Sequence, residues 1–272
     1  MIIVGNGKLV TRDNAMPFIA DGAVVMDGPV IVKVGTTQEM KQAYADAEFI
    51  DAKGGIIMPA FINTHEHIYS AMARGLSING YNPKGFLDIL DGQWWTIDRK
   101  LTLAQTKYSA MDTMISCIRN GVTTIFDHHA SFGHIKGSLF EIADAAKELG
   151  VRACLCYEVS DRDGRDKARE SVMENAEFIK YALKDDTDMI AAMMGMHAQF
   201  TISDETMALA AANKPDEVGY HIHVAEGIED LHDCLKKYGK RIVDRLMDCN
   251  ILGEKTLLGH CIYINQHEMD LI

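Results

Sequence analysis

The sequence predicts an α/β protein: a small antiparallel β unit over residues 1–55, then parallel strands and helices over residues 56–272, of the (β/α)8 barrel type with about six strands present. Three observations carry this. The first 55 residues hold short β-branched runs punctuated by Asp-Gly pairs, while six later apolar runs alternate with amphipathic segments. The stretch after the first of those runs, Asn63-Thr64-His65, lacks the glycines that open a phosphate loop in an open doubly wound sheet.

In chain order, residues 1–4, 22–26 and 29–34 read as strands. Asp21-Gly22 and Asp27-Gly28 read as hairpin turns, since glycine supplies the positive φ that tight turns need. A short helix is expected near residues 37–44. The runs 56–62, 122–126, 151–159, 189–196, 218–224 and 256–259 are continuously apolar, as parallel strands covered on both faces are. Between them, Thr102 with Gln105 forms a capping box for a helix that Asn120-Gly121 stops, and residues 137–149 form a helix closed by Gly150. Ser203 precedes Asp204 and Glu205, acids that favour a helix start. The last residues, NQHEMDLI, read as a helix with no breaker or polar tail after Glu268. A closed barrel needs eight strands, so the barrel is expected to be C-terminally incomplete.

The net charge of -12 argues against nucleic acid or an anionic membrane surface as a partner, both of which demand clustered Lys and Arg. A small-molecule ligand is compatible, and self-association is left open. No stretch approaches a membrane span or a secretory leader. The six cysteines form no C-x-x-C pair and read as reduced core residues of a cytoplasmic protein. Met193, Met194 and Met196 read as core filler.

The histidines are placed unevenly. His65 and His67 follow the first apolar run and, two residues apart, point the same way. Asp127, His128 and His129 end the second run, His197 the fourth, His221 and His223 the fifth and His260 the sixth, so 8 of 11 histidines map to one rim. Neutral imidazole is a common nitrogen ligand for zinc and iron, which makes this rim a candidate metal site. Glu226, three residues after His223, is a candidate acid/base. His221 is a candidate partner orienting a ligand. Trp94 and Trp95 either wall a pocket or pack in the core, and His128 and His129 face either substrate or a neighbouring loop.

The stretches MPAFINTHEH, TTIFDHH, MGMHAQFT, HIHVAE and LLGHCIYI, in that order, resemble the amidohydrolase superfamily in its branch of cytosine, guanine and S-adenosylhomocysteine deaminases and chlorohydrolases. Trp94-Trp95 followed by IDR, and DHHAS at 127–131, look most like the SsnA aminohydrolases tied to selenium metabolism. The resemblance spans essentially the whole chain and implies a metal-dependent hydrolase with a TIM-like barrel. Its first 55 or so residues would pair with a C-terminal tail in a small β-sandwich.

Carried over residue by residue, the resemblance makes His65, His67 and His223 ligands of one divalent metal, zinc ahead of iron. Glu226 would protonate a ring nitrogen of the substrate, and His260 would orient the attacking water or polarise the intermediate. His197 matches a substrate-contacting position, and Trp94 and His128 join it as candidate substrate contacts. The implied activity is deamination of an amino-substituted purine, pyrimidine or related heterocycle; the alternative is a binding or maturation factor for selenium- or molybdenum-dependent enzymes. Ala60 stands where the family has glycine, and the family's last ligand, an aspartate after an eighth strand, lies beyond the end of this chain. Asp127 matches a strand-end position outside the metal shell.

Overall fold

A computed structural model describes all residues, 1–272, in two compact units, Met1–Phe61 and Ile62–Ile272. The first is a mixed sheet in the order β3-β2-β1-β4, built from β1 (Ile2–Val10), β2 (Phe18–Asp27), β3 (Val30–Thr36) and β4 (Glu48–Asp51), with β5 (Ile56–Ile57) pairing further along β1. Helix α1 (Thr37–Ala43) opens on a capping box between Thr36 and Glu39 and lays Met40 over Ile3, Ala23 and Val25.

One of the two expected hairpins is present. Asp27-Gly28 turns β2 into β3 with Gly28 at φ +55°. Asp21-Gly22 does not turn; it lies inside β2, where Gly22 pairs with Gly7 and Thr36. Glycine is needed there for close approach, since a Cβ would stand 2.3 Å from the Cβ of Leu9. The expected strand at 56–62 is also two pieces. β5 belongs to the first unit and ends before Pro59, which has no backbone donor for a ladder; β6 (Phe61–Glu66) then starts the next sheet. Asn63-Thr64-His65 is therefore strand and not turn.

The second unit alternates strands and helices. One sheet runs β6, β7 (Val122–His129), β8 (Arg152–Tyr157), β9 (Ile190–Ala192); a second, parallel sheet runs β10 (Met194–Ala198), β11 (Tyr220–Val224), β12 (Leu257–His260). A parallel bridge between Val159 and Met196 links them. At this junction Asn175 does the work of the missing ladder: its side chain accepts from the Tyr157 amide and donates to the Tyr157 carbonyl, both at 2.8 Å. Gly195 is required here, because a Cβ would meet the Tyr157 carbonyl oxygen at 2.2 Å.

The connecting helices are α2 (Phe86–Ile89), a π turn (Leu90–Trp94) and α3 (Trp95–Asp98), then α4 (Leu103–Arg119), α5 (Ser138–Leu149), α6 (Arg165–Ala182), α7 (Asp204–Ala212), α8 (Ile228–Tyr238), α9 (Ile242–Asp248) and α10 (Gln266–Leu271). The Thr102 capping box, the Asn120 stop and the left-handed Gly150 stand where the sequence places them. Two apolar cores follow, one around Ile125, Leu139 and Leu155, the other around Met194, Met196, Ile222 and Leu246. Each fully buried Ile, Leu or Met contributes about 1.5–3 kcal/mol through its apolar surface, which leaves the strands as a stiff base for polar groups at their ends.

Candidate metal centre and its pocket

The ligand nitrogens of His65, His67 and His223 lie within 4.8 Å of one another. His65 projects from β6, His67 follows it directly, and His223 is the fourth residue of β11. His65 and His67 are held by their far sides. His67 Nδ1 donates to the carbonyl of His128 at 2.9 Å, and His65 Nδ1 meets His221 Nε2 at 2.8 Å. Read as a donation from His65, that bond leaves His65 Nε2 with a free lone pair, and His65 Nε2 and both nitrogens of His223 are buried without any partner. Burial, and then repulsion among the imidazoles, lowers His65 to about 3 and His67 to about 4, and takes His223 well below the usual range. Three neutral imidazoles, His223 buried and His65 and His67 half-buried, fit a divalent cation, which needs deprotonated donors.

Gly259, on β12, lets two of these rings meet. A Cβ there would stand 3.1 Å from His223 Cδ2 and 3.3 Å from His65 Cε1. The next residue, His260, has φ +71° and Cys261 +55°, and Ala225 before Glu226 has +51°. Non-glycine residues take such angles at a cost of about 1–3 kcal/mol each, persisting only where the surroundings enforce them. Here they turn the chain off β11 and β12 so that His260 Nε2 and Glu226 Oε2 stand 3.5 Å apart. Asp230 holds the turn, accepting from the Ala225 amide at 2.9 Å and from Gln199 Nε2 at 2.9 Å. Burial first, then nearby Glu158 and Asp230, raise the Glu226 carboxyl to about 7.

These groups face a cavity of about 290 Å³, walled on its apolar side by Tyr69, Phe86, Ile89, Leu90, Trp94 and Trp95. Its size is at the small end for a ligand pocket and suits a single heterocycle. Larger hollows of about 600 and 810 Å³ elsewhere on this unit contain no histidine. His65, His67, His197, His223, Glu226, His260 and Trp94 all line the cavity, so most of the residues singled out from sequence converge. Trp95 also lines it.

His128 does not line it. Strand β7 runs three residues beyond the expected 126, so Asp127, His128 and His129 lie within the strand and are wholly buried. His128 Nε2 is bound to the carbonyls of Met196 and His221 at 3.0 and 3.2 Å, which ties that nitrogen to the backbone. Asp127 accepts from the Ile68 amide at 2.8 Å, pinning the 3-10 turn (Ile68–Ala73) after His67.

One acidic residue of the cavity is absent from the set singled out by sequence. Glu158, just past β8, is buried and lines the cavity. Although burial pushes its carboxyl upward, His197, His128 and Arg162 hold it well below the usual carboxylate range. Its signal was an acid inside the run 151–159, whose only other charged residue is Arg152.

Comparison with known proteins agrees with this architecture. Residues 56–272 match the amidohydrolase family. A 5'-deoxyadenosine deaminase of Methanosarcina barkeri is 29% identical over 273 residues, covering 100% of this chain and 60% of the relative. Among solved structures, guanine deaminase of E. coli superposes with a TM-score of 0.82 at 20% identity, over 100% of this chain and 65% of the other. Atrazine chlorohydrolase of Arthrobacter aurescens TC1, complexed with zinc, gives 0.82 at 21% identity over 99% and 62%. The chain thus spans about three fifths of the length of such relatives. With the match running from β5 to the last residue, the chain belongs to the amidohydrolase family.

Proposed function

We propose that this protein is a metal-dependent hydrolase that deaminates an amino-substituted heterocycle, with one divalent ion, zinc, held by His65, His67 and His223. The observation that carries the reading is the set of buried imidazole nitrogens left without partners beside Glu226 and His260 in one small cavity. The likeness to deaminases supports the reaction class, and the zinc-bound chlorohydrolase supports the metal. The ion, when bound, supplies Lewis-acid activation of a water near neutral pH.

The remaining work falls to side chains. Glu226, at the turn held by Asp230, takes a proton from the attacking water and delivers it to a ring nitrogen; a carboxyl raised to about 7 is matched to moving a proton both ways near neutral pH. His260, 3.5 Å from Glu226, steadies the developing tetrahedral centre. Trp94, Trp95 and Leu90 flank the ring and exclude water, and His197 contacts it from β10. Architecturally, we read β6 to β12, with β9 and β10 counted as one interrupted strand, as six strands of a TIM-like barrel and residues 1–55 as part of a β-sandwich. Six unpaired cysteines fit a reducing, cytoplasmic setting.

The test is zinc content and ammonia release in wild type and Glu226→Gln. The variant retains zinc and loses about 10²–10⁴ in kcat. Undiminished turnover by Glu226→Gln removes the assigned role, and a wild type that binds no zinc removes the reading itself.

A further inference from the structure

We propose that Glu158 contacts the substrate and sets its class, its carboxylate accepting from an N–H edge of the ring, so that lactam-amine heterocycles of the guanine or isocytosine kind are preferred over rings offering only acceptors there. This rests on the function proposed above and deepens it. Glu158 is 3% exposed and faces the cavity that holds the histidine cluster. Its nearest positive or imidazole neighbours stand at the edge of hydrogen-bond reach or beyond: His128 Nδ1 at 3.5 Å, Arg162 Nη2 at 3.7 Å and His197 Nε2 at 3.9 Å.

Each of those neighbours is held away by its other contacts. Arg162 is paired with Asp98 and lies over the rings of Phe132 and Trp95, 4.0 and 5.0 Å from their centroids. His197 Nδ1 meets Thr201 Oγ1 at 2.7 Å, and His128 Nε2 meets the Met196 carbonyl at 3.0 Å. The surroundings therefore balance the charge of Glu158 without taking up its lone pairs. A buried carboxylate with free lone pairs is costly to leave unmade, and it can only accept. A ligand that presents N–H donors repays that cost; one that presents acceptors is repelled.

The same carboxylate is within 4.8 Å of ligand nitrogens of His67 and His128, and of His197 and His223, so direct metal ligation is the competing role that the experiment must separate. The protein has two tryptophans, Trp94 and Trp95, and both line the cavity, so intrinsic fluorescence reports its occupancy. Zinc-loaded wild type and Glu158→Gln are titrated with 9-methylguanine, with 1,9-dimethylguanine, which lacks the ring N–H, and with 9-methyladenine, whose ring nitrogens are all acceptors. Wild type is expected to favour 9-methylguanine, and Glu158→Gln to weaken that ligand alone by about 10- to 100-fold while retaining zinc. Glu158→Asp, which keeps the charge but withdraws it by one methylene, is expected to fall between and carries the test if the glutamine variant does not fold.

Unchanged preference, or an equal loss for all three ligands, overturns the proposal while leaving the metal centre intact. Loss of zinc in Glu158→Gln also overturns it and makes Glu158 a metal ligand. Absence of zinc from wild type defeats the underlying function reading instead.

Discussion

Gly259 is the most exacting place to perturb the metal centre without touching a ligand. In Gly259→Ala the new Cβ would lie 3.1 Å from His223 Cδ2 and 3.3 Å from His65 Cε1, so the rings must give by a few tenths of an ångström. His65 is constrained by its 2.8 Å bond to His221, and His223 is wholly enclosed in the parallel sheet. Metal–ligand distances tolerate only about 0.2 Å. The shift therefore exceeds what the ligand geometry can absorb, and zinc affinity is expected to fall about 10- to 100-fold, the range seen when the supports of a ligand are disturbed. Folding should suffer less, by about 1–3 kcal/mol, the ordinary cost of one overpacked methyl. Zinc competition against a chromophoric chelator measures the first quantity and urea unfolding of the metal-free protein the second. A zinc affinity unchanged within about twofold, in a folded variant, would refute the placement of zinc between these rings.

Other consequences are independent of that one. His221→Phe removes the acceptor for His65 Nδ1 and is expected to lower zinc affinity about 10- to 100-fold, with circular dichroism unchanged; an unaltered affinity would make His221 a packing residue only. Asp230→Ala strips the partner from the Ala225 amide, expected to cost about 1–3 kcal/mol in urea unfolding and to reduce turnover while zinc stays bound. Turnover at the wild-type level would show that the Ala225 turn does not need this support. The raised Glu226 carboxyl sets a pH dependence. Its folded value of about 7 exceeds the ordinary 4.5, so the folded state binds the extra proton in that window and wild type loses stability as pH rises through it. Metal-free Glu226→Gln should therefore gain on wild type between pH 4.5 and about 7, and parallel unfolding curves across that window would contradict the burial of this carboxyl.

Much of this site can be read from the chain because its parts sit at predictable places. His223 lies in an unbroken apolar run followed by Glu226, and an apolar run of that length must be a strand whose end delivers side chains together. His65 with His67 and His260 follow the same logic. What escapes is set by tertiary contacts. Pro59 divides a run that composition alone shows as continuous. Gly22 looks like a turn residue because sequence cannot reveal Leu9 pressed against it. His128 lies within β7, which runs three residues further than the apolar run suggests, and its Nε2 is taken up by backbone carbonyls, as that of His223 is not. Glu158 is one acid near the end of a mostly apolar run, and nothing in the sequence reveals Arg162, paired with Asp98, standing 3.7 Å from it.

The central claim is a zinc ion bound by His65, His67 and His223, and X-ray absorption at the zinc edge of the loaded protein tests it most directly. About one zinc per chain is expected, with nitrogen scatterers at about 2.0–2.1 Å and an imidazole signature that drops by one ligand in His223→Ala. A first shell containing sulfur at about 2.3 Å, or a spectrum indifferent to His223→Ala, would contradict it.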